Sequence, residues 1–109
     1  ADRINYHSED RQLKKVCLIP QTGSGVPIPI PRFPYRLEIG KEDKTHPDYI
    51  CIIQEAGNVL IVDEESEQGI LHNNRRLVPW KKMPLQDGDI LQFDGDEYVV
   101  EITQFEYVM

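Results

Sequence analysis

Residues 83–93 read "MPLQDGDILQF". An apolar approach through Met83 and Leu85 runs into Asp87-Gly88-Asp89, and alternation resumes at Ile90. Glycine accepts positive φ without strain, and aspartate hydrogen-bonds to backbone close to itself, so the pair marks a chain reversal. We expect a tight turn at Asp87–Asp89, with Gly88 meeting a backbone demand and Leu85 and Ile90 directed into a core. On this reading the stretch is architecture rather than chemistry.

The same grammar extends outward. "ILQF" and "EYVVEIT" flank "DGDE" as a hairpin, with Tyr98, Val100 and Ile102 on one face. Upstream, "YICIIQ" and "VLIVD" flank "EAGN" as another. "ILHNNRRLVPW" offers short strand pieces around Asn73-Asn74, because Asn tolerates positive φ. "YRLEIG" alternates Tyr35, Leu37 and Ile39 against Arg36 and Glu38, which is a half-buried strand. "KKVCLIP" is a further strand, stopped by Pro20. "VPIPIPRFP" lacks the donors a central strand needs, so it is extended and belongs at a sheet edge or in a connection. "QTGSG", "KEDKTHPD" and "EESEQG" are loops. No stretch keeps helical spacing beyond about ten residues. Short strands with turn signals every eight to twelve residues or so specify an all-β sandwich. Residues 1–12 are expected to be a flexible lead-in, and 13–109 the domain.

The 109 residues suit one domain. Nineteen acids against twelve Lys and Arg leave a net charge of −7. That argues against nucleic acid as a direct ligand and against anionic membranes. No apolar run is long enough to span a bilayer, and the first residues lack the apolar core of a signal peptide. Position 1 is not Met, which fits a processed, tagged or excised chain. Cys17 and Cys51 sit in apolar runs and read as buried, reduced thiols of an intracellular protein, with a bridge between them left open.

Enzyme chemistry finds no foothold. His7, His46, His72, Cys17 and Cys51 have no paired metal-ligand spacing, so no metal and no cofactor is expected. Ser8, Ser24 and Ser66 lack the surroundings of a nucleophile. "DEESE", 63–67, is expected to be a solvated acidic loop rather than an acid–base pair. "GSG" at 23–25 has no helix behind it to hold a phosphate.

The order of these pieces resembles a forkhead-associated (FHA) domain across about residues 14–103. The stretch Gly57 to Ile102, containing "DEESEQGILHNNRRL" and "PLQDGDILQF", carries most of the likeness. The resemblance implies an all-β, FHA-like β-sandwich of about eleven short strands in two sheets. It also implies loops at one end that hold phosphothreonine peptides, with Arg, Ser and Asn side chains supplying charge-assisted and amide hydrogen bonds. The ligand-reading positions have drifted. Gly40 matches, but Lys41 replaces the Arg and loses its bidentate fork. His46 stands at the Ser position and Tyr49 at the His position. Gly69 is kept, while Gln68 replaces Asn and Ile70 replaces Thr. Asp63 and Asn73 match, and Asn74 takes the place of a Gly.

We therefore expect a non-catalytic protein–protein interaction module with weakened or lost phosphothreonine recognition, binding a protein partner or a second copy of itself. Trp80, Phe33, Phe105 and Tyr107 are its candidate interface residues. The competing expectation is a phosphopeptide reader whose atypical anion site combines Lys41, His46, Arg75 and Arg76, with Gln68 and Asn73 toward the peptide. A structural β-sandwich in a larger assembly is the third. The resemblance implies an intracellular and more specifically nuclear setting, with DNA-damage signalling among the pathways such domains serve.

Overall fold

Alternating runs become strands where the turns between them let neighbours pair. The computed structural model describes residues 12–22, 25–40 and 47–106, and ten strands lie among them. These are β1 (Gln12–Pro20), β2 (Ile28–Ile30), β3 (Tyr35–Ile39), β4 (Asp48–Glu55), β5 (Asn58–Asp63), β6 (Leu71–His72), β7 (Arg75–Arg76), β8 (Met83–Pro84), β9 (Ile90–Phe93) and β10 (Asp96–Glu106). One sheet has the order β2-β1-β10-β9-β6-β7 and the other β3-β4-β5-β8, all pairs antiparallel. The fold is the all-β sandwich that the alternation specifies. Among the described residues no helix is long and apolar enough to cross a membrane.

Three hairpins share one turn chemistry. Ala56 and Gly57 have φ of 50° and 80°, Asn73 and Asn74 50° and 68°, Asp94 and Gly95 56° and 76°. Positive φ at both central residues matches the right-handed twist of the flanking strands. Asn, Asp and Gly reach that region cheaply, and Ala56 does so at a steric cost. The proline-rich segment lies where its missing donors do no harm, with Pro29 inside β2 at the edge of the six-stranded sheet.

Every second residue turns inward. Val16 and Leu18 of β1 and Tyr98 and Val100 of β10 face Ile50 and Ile52 of β4 and Val59 and Ile61 of β5. Loop residues Ile70, Leu77 and Leu85 close the ends of this core. Phe93 and Tyr98 stack with ring centroids 4.7 Å apart.

Three expectations are corrected by this register. Leu91 is paired with Tyr98, so Leu91 and Phe93 take the core face of β9 and Ile90 is left half-buried on the other. Cys17 lies between the inward Val16 and Leu18, and Cys51 between the inward Ile50 and Ile52. Both thiols therefore stand half-buried on the outer faces of opposite sheets, unbridged. The acidic run 63–67 is not uniformly solvated, because Asp63 is 1% and Ser66 7% exposed. Asp63 Oδ1 accepts the Ser66 N–H at 2.8 Å, and its carbonyl accepts the Trp80 N–H at 2.8 Å. A buried carboxylate there serves the turn's backbone.

Candidate functional site

The "QDGD" turn is tied on every side. The Asp89 N–H donates to the Gln86 carbonyl at 3.0 Å, and Gly88, third in that four-residue turn, has φ of 89°. Positive φ at that position is the mark of a type II turn. The Gly88 N–H donates to Val100 and the Val100 N–H to Asp89, which clamps the turn onto β10. Asp87 Oδ1 accepts the Ile102 N–H at 2.7 Å.

Asp89 gathers the next layer. Its carboxylate accepts from His72 Nε2 at 2.7 Å, from the Gln86 N–H at 2.8 Å and from Asn73 Nδ2 at 3.2 Å. An ionised carboxylate only accepts, so Nε2 carries the hydrogen of the His72 bond. Partial burial pushes the Asp89 carboxyl up, but these three donors outweigh it and hold it below the usual carboxylate range. Asn73 Oδ1 in turn accepts the Ile90 N–H at 2.8 Å. Both ends of the Asn73 amide are thus engaged inside the molecule, joining the β6–β7 turn to the start of β9.

The opposite end of these strands carries the loops that the FHA resemblance assigns to a ligand. The Gly40 N–H donates to both oxygens of Asp94, at 2.9 and 2.8 Å, linking the end of β3 to the β9–β10 turn. The Glu67 N–H donates to Asp48 Oδ2 at 3.1 Å, linking the β5–β6 loop to the start of β4. Gln68 is exposed, and Ile70 beside it is fully buried. A Cβ on Gly69 would lie 2.6 Å from Arg76 Nε, so Arg76 packs directly over this loop and the absent side chain makes room for it. Arg36 reaches Glu64 Oε1 from Nη2 at 2.7 Å and lies 3.9 Å over the Tyr49 ring. Lys41, His46 and Tyr107 lie outside the described residues, as does the side chain of Phe105.

Of the remaining candidates, Phe33 is half-buried against the core and Trp80 is 61% exposed. The Lys81 N–H donates to the Val78 carbonyl, closing a turn with Pro79 second and Trp80 third. Trp80 has φ of 67°, where glycine is the favoured residue. Its indole Nε1 donates to Glu65 Oε1 at 3.1 Å. Beside this turn an open groove of about 400 Å³ runs along β7, bordered by Arg75, Arg76, Val78 and Lys81 over Leu77 and Met83. The structure brings Arg75 and Arg76 together here, with Asn73 also lining the groove. Asp94, Arg36 and Lys81 were not among the residues singled out from the sequence. Their roles depend on partners far along the chain, and nothing local announces them. Among the described residues no cluster of His, Cys, Asp and Glu could hold a metal ion.

Residues 44–94 match the FHA domain family, a segment that holds the β5–β6 loop, the Asn73 turn and the "QDGD" turn but begins after Gly40 and Lys41. Over that segment the chain is similar to the FHA domain family. FHA domains are non-catalytic protein-interaction modules. In overall fold the chain is similar to Mycobacterium tuberculosis EmbR in complex with a low-affinity phosphopeptide, with a TM-score of 0.64 and 18% identity over 87% of this chain. It spans only 25% of that EmbR chain. It is similar also to the Rv0020c FHA structure, with a TM-score of 0.61 and 20% identity, covering 83% of this chain and 94% of the other. No curated protein matches the chain in sequence.

Proposed function

We propose that this FHA-like domain binds a protein partner without requiring phosphothreonine. The observation that carries the reading is Asp94. Its carboxylate already occupies the Gly40 N–H, at the position just before Lys41 where the family's pattern places its phosphate-binding Arg. A phosphate is strongly acidic and would meet Asp94 there, with Asp48 at the start of β4 and Glu67 on the β5–β6 loop nearby. Like charges so placed oppose binding. The Thr position supports the same reading, because Ile70 has no hydroxyl and is wholly buried. Asn73, with both ends of its amide engaged, has little left to grip a peptide.

A second reading, the atypical phosphopeptide site, draws on Arg76 lying over Gly69. Isothermal titration with matched phosphothreonine and unphosphorylated peptide pools separates the two. We expect no preference for the phosphorylated pool. A preference of about tenfold or more, lost in Lys41→Ala or Gln68→Ala, would overturn the proposal. Self-association is a further mode for such a module, and a single monomeric species in sedimentation across concentrations would remove it. The two free thiols fit a reducing, intracellular setting.

A further inference from the structure

Of the eight Lys and Arg among the described residues, two pair with a carboxylate. These are Arg36 and Lys82, each at 2.7 Å, from Glu64 and Glu55. Lys14, Lys15, Arg32, Arg75, Arg76 and Lys81 have no such partner among the described residues, and of these only Arg75, Arg76 and Lys81, all exposed, lie together. They border one groove of about 400 Å³ whose floor includes buried Leu77 and half-buried Met83. Val78 at its rim is 58% exposed. Charge on an edge strand also deters sheet pairing, which would account for Arg75 and Arg76. It does not account for Lys81, which lies on no strand, or for the apolar floor. The turn that presents Lys81 places Trp80 at positive φ, a conformation that persists only where the surroundings impose it and that clusters at binding sites.

We propose that the groove beside β7 takes an extended, unphosphorylated acidic segment of another protein, its carboxylates on Arg75, Arg76 and Lys81 and its intervening apolar side chains over Leu77 and Met83. Complementarity of charge and of apolar floor decides the class, since the net charge of −7 repels a polyanion everywhere else. This rests on the phosphate-independent reading above.

The test uses Trp80, the chain's one tryptophan, as a fluorescence reporter two places along the turn from Val78. The probe is a tryptophan-free peptide of about ten residues alternating Asp or Glu with Leu or Val, so that in extended form its acids and apolar side chains fall on opposite faces. Its controls are the same peptide with Lys for the acids, a neutral peptide with one phosphothreonine, and oligothymidylate of similar length. We expect the acidic peptide alone to bind, more weakly as salt rises. Arg75→Glu with Lys81→Glu should weaken it about tenfold or more, in line with exposed charge pairs acting together. Lys15→Glu with Lys82→Glu, the same change of net charge elsewhere, should leave it within about threefold. Unchanged urea midpoints confirm that the variants fold. Equal loss in both double variants, binding of the Lys peptide, or tighter binding of oligothymidylate would overturn the proposal. Binding of the neutral phosphothreonine peptide, lost in Gln68→Ala but not in the groove variant, would overturn the phosphate-independent reading instead, and the acidic-peptide arm would still judge the groove.

Discussion

Asp89 accepts from a histidine ring, an asparagine amide and a backbone N–H, and each donor comes from a segment that must be held to the turn. Removing the acceptor strands donors that are partly shielded from water. Asp89→Ala should therefore lower stability by about 1–3 kcal/mol, read from urea midpoints. The same carboxyl links stability to pH. Its folded value lies below the unfolded one, so its contribution is present above about pH 4 and is lost as pH falls through the depressed folded value. Asp89→Asn should flatten that acid limb in urea melts taken between about pH 5 and pH 2. Asn73 belongs to the same network. It was legible in the sequence as a turn residue, but the commitment of its amide depends on Asp89 and Ile90, which only the fold brings beside it.

Two turns of the same class make opposite demands. Gly88 has φ of 89°, and a Cβ there would meet nothing within 4 Å. The requirement for glycine is thus purely one of backbone conformation. Gly88→Ala should cost about 1 kcal/mol by chemical denaturation, without repacking any neighbour. Trp80 holds the corresponding position of its turn with a bulky side chain that is largely exposed. Relief of strain in Trp80→Gly offsets the loss of one exposed bond to Glu65. Stability should stay within about 0.5 kcal/mol of the parent by the same measurement. A larger loss would mean that the indole supports the fold rather than serving a partner. Asp-Gly, Ala-Gly and Asn-Asn were readable as turns because few residues accept positive φ. Val-Pro-Trp-Lys was not, because tryptophan is a poor marker of it.

At the scale of the whole sandwich, the two sheets set the fate of the thiols. Cys17 and Cys51 lie on opposite outer faces, with the full core between them. Mild oxidation should leave both free within one molecule, seen as two alkylated cysteines by mass spectrometry. Burial raises the Cys17 thiol, with Glu101 adding to the effect, and burial with Glu64 raises Cys51 against the pull of Arg36. Alkylation at about pH 7 should accordingly be slower than for a free cysteine. A bridged monomer would contradict the placement of the sheets.

Alternation and turn residues by themselves determined that this protein is a β-sandwich, because a period of two and a few tight turns are local properties of the chain. The FHA pattern of Gly40, Asp63, Gly69 and Asp87-Gly88-Asp89 was legible for the same reason. Which face each strand shows to the core depended on pairing register, and a shift of one residue sends Ile90 outward in place of Leu91. The site was decided later still. Asp94 reaches Gly40 across fifty-four positions, while three cations on β7 and the turn after it share one groove with no acid partner among the described residues. Charges act through space rather than along the chain, so only the tertiary structure could say which of them are answered.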